Sequence, residues 1–325
     1  MDPAQLFTAA QVIIVAGKGG VGKTTVVAAL AVAASTVGRN VSIVELDGKS
    51  GLPILFGHPD LPSQESLLRP GSEGVGSITA RWLTPDGALL EWMNNHGLQR
   101  VSKRLSETGA IELIAASTPG IKDVLVLGKV KQLANAAGGD LIIVDAPAAG
   151  HAVSFLRSAR GLADAVRTGP IHTQAVEVLD LLADGDRCHV MLVTLPEETP
   201  VNELIETAYS LEDEIGVKLG PIVVNGTYRH LAGLDVTPAV AAKAEKFRLP
   251  AGDADRLAGA AQFRTERSAL QTEQIDRLRR DLPLPQLHLA YRFRDELDES
   301  DIEDMATALL DQLSGLPPAT VTTAR

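Results

Sequence analysis

Hydrophobic and polar positions repeat at two periods along this chain, and the changes from one to the other mark out its elements. Short runs rich in Val and Ile, the pattern of strands buried on both faces, occur at Gln11–Ala16 (QVIIVA), Asn40–Leu46 (NVSIVEL), Ile111–Ser117, Asp140–Val144, Cys188–Leu195, Gly220–Asn225 and Gln286–Phe293. Between them the period lengthens to that of a helix. Thr24–Val37 reads as a helix ended by Gly38. From Thr199 to Ile215, the residues Leu204, Ala208, Leu211 and Ile215 share one face, and Glu203, Glu206, Glu212 and Asp213 read as its solvated side. In the last helix Ile302, Met305, Ala306, Leu309, Leu310 and Leu313 share a face, with Ser300 and Glu303 as its capping box. Apolar strands alternating with helices predict an α/β fold, a mostly parallel twisted sheet covered by helices on both sides.

Two stretches interrupt the alternation. Residues 49–110 hold Gly/Pro-rich loops followed by a helix that opens at Thr84 (N-cap) and Pro85 (first turn), and this predicts a small, mainly helical insertion. Residues 226–284 are rich in Ala and Arg and read as helical, with weakly marked boundaries. The final stretch, 316–325 (LPPATVTTAR), has no periodicity and is expected to be a disordered tail, which leaves 1–315 as a single domain.

Charge narrows the function classes. The 325 residues carry 30 Lys+Arg against 41 Asp+Glu, a formal net charge of −11, so neither nucleic acid nor an anionic membrane surface is an expected partner. The polar side of the last helix is itself acidic, with Asp301, Glu303, Asp304 and Asp311. Cys188 is the one cysteine. An internal disulfide and an all-cysteine metal cage are therefore excluded, and Cys188 is expected to be a small buried hydrophobe. The opening residues lack a positive stretch ahead of their apolar run, and Val26–Ala34 is far short of the ~20 residues needed to span a bilayer. The cytoplasm is the expected location, with no stable membrane insertion.

The most specific chemistry lies in Gly17–Thr25, GKGGVGKTT, between an expected strand and an expected helix. That is the context of a P-loop. The glycines Gly17, Gly19, Gly20 and Gly22, with Val21 between, let backbone N–H groups turn inward around phosphate oxygens, and the helix N-terminus adds its dipole. Lys23 would bridge the β- and γ-phosphates of ATP, and Thr24, ahead of Thr25, would offer its hydroxyl to Mg²⁺. Lys18 is a second, flexible cation in the loop, placed to reach its own phosphates or those of a facing subunit. Asp145 closes the apolar run LIIVD as a Walker B carboxylate for the water shell of Mg²⁺. Asp47 closes the second strand, at the carboxyl edge where such sheets bind ligands. It is expected either to orient the attacking water beside the metal or simply to form an Asp-Gly turn.

The loop, with its early Lys18, resembles the deviant Walker A of a family of dimeric ATPases, and the remaining motifs are similar to its arsenical-pump and tail-anchored-protein targeting branch. DAPAAGH at Asp145–His151 is similar to the branch's second switch, with Asp145, Gly150 and His151 matching position for position. VELDGKSGL is similar to its first switch only at Asp47. PGIKD at Pro119–Asp123 and the Pro-Glu run TLPEETPVNELIET also resemble segments of the branch, and Asn225 matches an asparagine that contacts adenine. The TPDGALLEW and PGIKDVLVLGKVKQL segments look most like actinobacterial members. The resemblance implies a P-loop NTPase that dimerises around ATP, with Lys18 reaching the partner's nucleotide, and that acts on a protein client.

Departures from the branch matter as much. A single cysteine leaves no thiolate set for arsenite, and the Cys-x-x-Cys zinc staple of eukaryotic targeting ATPases is absent. The switch histidine is missing from Leu-Asp-Gly-Lys-Ser, which supports nucleotide binding better than rapid hydrolysis. Methionine occurs only at positions 1, 93, 191 and 305, too few for a Met-rich client lid. Leu89, Leu90, Trp92, Met93, Ile121 and Val124–Leu127 either line a groove for an apolar helix or fill the core beneath the insertion. Three readings follow. The first is a Mg²⁺-dependent ATPase acting as a homodimer. The second is a weakly hydrolysing nucleotide-binding subunit in a heterodimer with a related ATPase. The third, a spatial organiser like the partition or septum-placement ATPases, lacks the basic patch or tail it would need.

Overall fold

The computed structural model describes residues 6–7, 9–46, 51–58, 65–108, 120–136 and 138–316. Among the described residues nine strands form one sheet: β1 (Val12–Gly17), β2 (Val41–Glu45), β3 (Ser66–Arg69), β4 (Ile78–Trp82), β5 (Leu141–Ala148), β6 (Cys188–Thr194), β7 (Lys218–Leu219), β8 (Ile222–Thr227) and β9 (Gln286–Ala290). Their order is β3-β4-β2-β5-β1-β6-β8-β9, with β7 paired to β6. Every pairing is parallel except that of β3 with β4. The expected mostly parallel α/β sheet is present, and its central strands β1, β2 and β6 are buried at every position. That explains why they read as unbroken apolar runs rather than alternating ones.

Helices cover both faces. One face holds α1 (Lys23–Thr36) and the short α2 (Leu52–Leu55), together with the last helix, α11 (Glu299–Gly315). Against the other lie α3 (Pro85–Asn95), α5 (Ile121–Ala136), α6 (Ala149–Ala165), α7 (Pro170–Ala183) and α8 (Glu198–Ile215). α4 (Gln99–Thr108) packs on α3, while α9 (Pro238–Ala244) and the long α10 (Asp253–Asp281) follow β8. Even and odd positions of each strand feed separate apolar layers. Ile13, Val15, Ile43 and Ile143 pack under α1, and Ile14, Val44, Ile142 and Val144 pack under α5 and α6. α1 is buried almost all round by its run of Val, Ala and Leu.

Several expectations are corrected in detail. Part of the segment read as a helical insertion belongs to the sheet: β3 and β4 extend it beyond β2, and the helices α3 and α4 come only after them. Short edge strands with polar residues on one face carry little apolar signal. The cap of α11 is built by Asp298 and Asp301, not by Ser300 and Glu303. Asp298 accepts from the Asp301 backbone and Asp301 reaches back to the Asp298 N–H, while the Ser300 hydroxyl donates to Asp298 at 2.6 Å. Asp301 is thereby buried, paired with Arg294 at 3.2 Å, and does not belong to the solvated acidic face. Thr84 caps α3 as expected, accepting from the Gly87 N–H at 3.0 Å. Leu89, Met93, Ile121 and Val124–Leu127 lie in the core, with Leu90 and Trp92 packed against it, so these residues fill the interior rather than an open groove. The strand expected at Ile111–Ser117 and the tail at 317–325 lie outside the described residues. No helix among the described residues is long and apolar enough to cross a membrane.

Candidate functional site

The carboxyl ends of β1, β2 and β5 converge on the loop that joins β1 to α1. Its shape is dictated by glycine. Gly20 and Gly22 sit at φ +83° and +85°, the left-handed region that side chains avoid. A Cβ on Gly17 would overlap the Val193 carbonyl oxygen of β6, so the strand can turn into the loop only without a side chain there. Gly22 is the N-cap of α1 and offers no side-chain cap, which leaves the first-turn N–H groups facing the loop, as an anion site requires. Gly19 and Gly20 are exposed, Val21 is buried, and Lys23, Thr24 and Thr25 are half-buried on the first turn. Lys23 Nζ donates to the Lys18 carbonyl at 3.3 Å and so lies across the mouth of the loop.

Thr24 Oγ1 donates to Asp145 Oδ2 at 2.7 Å. Thus the hydroxyl and the Walker B carboxylate expected at the metal position do meet. Asp145 is buried, because its strand runs between β1 and β2, with Val15 and Glu45 as its register partners. Asp47 lies outside the described residues. Gly150 and His151 fall in the first turn of α6, immediately after β5.

Two acidic residues join the site that the sequence pattern had not marked. The first is Glu45, at the end of β2. It is 4% exposed, and its Oε1 is sealed from solvent with no hydrogen-bond partner among the described residues. Burial first, and the neighbouring Asp145 charge second, push its carboxyl up to about 7. The available signal was a charged residue closing an otherwise apolar strand, two positions before Asp47 in sequence. The second is Glu203 of α8, which forms an ion pair with Lys18. Amphipathic periodicity put Glu203 on a solvated face, and no local pattern could show that this face borders the loop.

Asn225 reaches the site as well, though its Nδ2 donates to the Val21 carbonyl at 2.9 Å and so braces the loop. Beside it, at the ends of β8 and β9, Tyr228, Tyr291 and Phe293 cluster edge to face, with the Arg264 guanidinium 4.0 Å from the Tyr228 ring centre. A Cβ on Gly226, one residue beyond Asn225, would come within 3.7 Å of the Tyr291 ring. Cys188 is buried at the opposite end of β6, its thiol pushed up to about 12 by burial, an inert small hydrophobe as expected.

The ligand set at Thr24, Asp145 and Glu45 is all oxygen, and one buried carboxylate oxygen of Glu45 has no donor among the described residues. That suits a hard divalent cation which keeps part of its water shell, as Mg²⁺ does.

Comparison with known proteins agrees with this arrangement. Residues 10–168 match the family described as anion-transporting ATPase. The chain is 32% identical to the ATPase BagA of Mycobacterium tuberculosis over 247 residues, 74% of this chain and 72% of that protein. It is 31% identical to the ATPase get3 of Schizosaccharomyces japonicus over 144 residues, 44% of this chain and 42% of that protein. With the arsenical pump-driving ATPase of Escherichia coli it shares 29% identity over 211 residues, 62% of this chain and 32% of the relative.

Proposed function

Given that the chain belongs to the anion-transporting ATPase family, alongside Get3-type and arsenical-pump ATPases, we propose that this ATPase is Mg²⁺-dependent and works as a cytoplasmic dimer that couples ATP–ADP exchange to a protein client. The observation that carries the reading is the Thr24–Asp145 hydrogen bond at the mouth of a glycine loop whose Lys23 lies across it. In this reading the loop N–H groups and Lys23 hold the β- and γ-phosphates, and Thr24 and Asp145 hold the Mg²⁺ shell. When bound, Mg²⁺ neutralises charge on the β- and γ-oxygens. Asp47 orients the attacking water, and Gly150 and His151 follow Asp145 as the second switch. The base of ATP stacks beside Tyr291 and Arg264, within reach of Asn225.

Arsenite as cargo is not supported, because the one thiol is Cys188, which is buried. A client of the apolar-helix type would need a surface other than Leu89, Met93 and Val124–Leu127, which are interior.

The test is Mg²⁺-ATP turnover per chain over a wide range of protein concentration, with the chain alone. Turnover is expected to rise with concentration to a plateau, as paired sites require. ATP binding without turnover at any concentration would instead favour the heterodimer reading, which the altered first switch, matching the branch only at Asp47, motivates. Failure to bind ATP at all would overturn the proposal.

A further inference from the structure

We propose that Glu45 is part of the cation site, positioning Mg²⁺ by accepting a hydrogen bond from a metal-bound water. This rests on the ATPase reading above and extends it to a residue outside the loop and the switches.

The argument starts from strand register. Glu45 and Asp145 are direct partners on neighbouring parallel strands, and both continue the rows that pack under α1. Their carboxylates therefore emerge on the same side of the sheet, the side from which Thr24 reaches Asp145. Two buried carboxylates so placed repel each other and lack water to screen them. Glu45 also leaves Oε1 sealed with no donor among the described residues, an arrangement that is costly unless something supplies one. A divalent cation held by Thr24 and Asp145 resolves both problems. It offsets the second negative charge, and its remaining waters are strongly polarised donors that a carboxylate one strand away can accept. A direct bond from Glu45 to the metal is not required. An acidic residue closing an apolar strand then has a reason to be there.

The experiment uses the full chain with Mn²⁺ in place of Mg²⁺ and a non-hydrolysable ATP analogue. Free Mn²⁺ is read from its paramagnetic resonance signal. The wild type is expected to bind Mn²⁺ in a nucleotide-dependent way. Glu45→Gln, which keeps an acceptor but loses the charge, should weaken that binding about tenfold, the usual effect of losing an outer-shell partner. Glu45→Met, which keeps neither, should weaken it further, and Glu45→Asp should restore part of it. The zero-field splitting of bound Mn²⁺ should shift in the Gln and Met variants, which a purely structural role would not produce. ADP affinity without metal should be the same in all four proteins and shows that each is folded. Unchanged Mn²⁺ affinity and spectrum in Glu45→Gln and Glu45→Met would overturn the assignment while leaving the ATPase reading intact. A wild type without nucleotide-dependent Mn²⁺ binding would overturn both.

Discussion

At the scale of single residues, Glu45 shows how the site trades stability against chemistry. Its carboxyl lies at about 7 in the folded chain against 4.5 as the ordinary value, raised by burial and then by Asp145. Between those two values the folded protein keeps a proton that the unfolded chain releases. Glu45 therefore makes stability fall as pH rises through that window, with no further change above it. Removing the ionisable group should remove that loss. In metal-free buffer, Glu45→Gln should gain stability over the wild type as pH rises from about 4.5 to about 7, and the gain should then level off at on the order of 1–3 kcal/mol. Urea midpoints of both proteins across this range provide the check. A constant difference between the two would mean that the carboxyl titrates normally in the fold. The same residue marks a limit of reading by pattern. The GKGGVGKTT loop declares its chemistry by spacing alone, because the glycines and Lys23 act within one turn of chain. Glu45 acquires its role only from Asp145, a hundred residues on, once β2 and β5 are neighbours.

At the scale of elements, what could be read in advance was whatever is decided locally. β1, β2, β5 and β6 were legible because they are buried on both faces and β-branched. α1 was legible because it follows the loop, and α3 because Thr84 and Pro85 mark its start. The Thr84 cap is a single hydrogen bond, to the Gly87 N–H at 3.0 Å, and its contribution is correspondingly bounded. Thr84→Ala should destabilise the chain by about 1 kcal/mol, measured by chemical denaturation, with ATP binding untouched because α3 packs on the opposite face of the sheet from α1. What was not legible depended on partners distant in sequence. The pairing of β3 with β4 is antiparallel and short and forms the sheet edge, and with only every second position of β4 buried it carries little apolar signal. The cap of α11 fell to Asp298 rather than Ser300 because Asp301, at the third position, turns inward to Arg294 and completes the reciprocal bond. The Ser-x-x-Glu spacing favours Ser300 with Glu303, and only the pairing of buried Asp301 with the part-exposed Arg294 tips the choice to the two aspartates.

At the scale of the whole molecule, the sheet brings α8 to the edge of the loop, and this sets a constraint on any assembly. Lys18 is the loop cation without a task in its own P-loop. In the isolated chain it is tied to Glu203, from the far side of β6 in sequence. Both side chains are part-exposed, so the pair is modest in energy and easily exchanged for a stronger anion. If Lys18 is to reach phosphates across a dimer, as the family resemblance implies, it must first leave Glu203. The contact then acts as a competitor that weakens assembly until nucleotide supplies the better partner. Glu203→Gln removes the competing charge without changing the size of the side chain. Nucleotide-dependent dimerisation, followed by sedimentation across protein concentration, should shift to lower concentration by a few-fold, while monomer ATP affinity changes little. Lys18→Ala should abolish the shift even in the Glu203→Gln background, because the gain acts through Lys18. If Glu203→Gln weakens dimerisation instead, Glu203 contributes to the interface itself, and the ion pair seen within one chain is a rehearsal of a contact made between two.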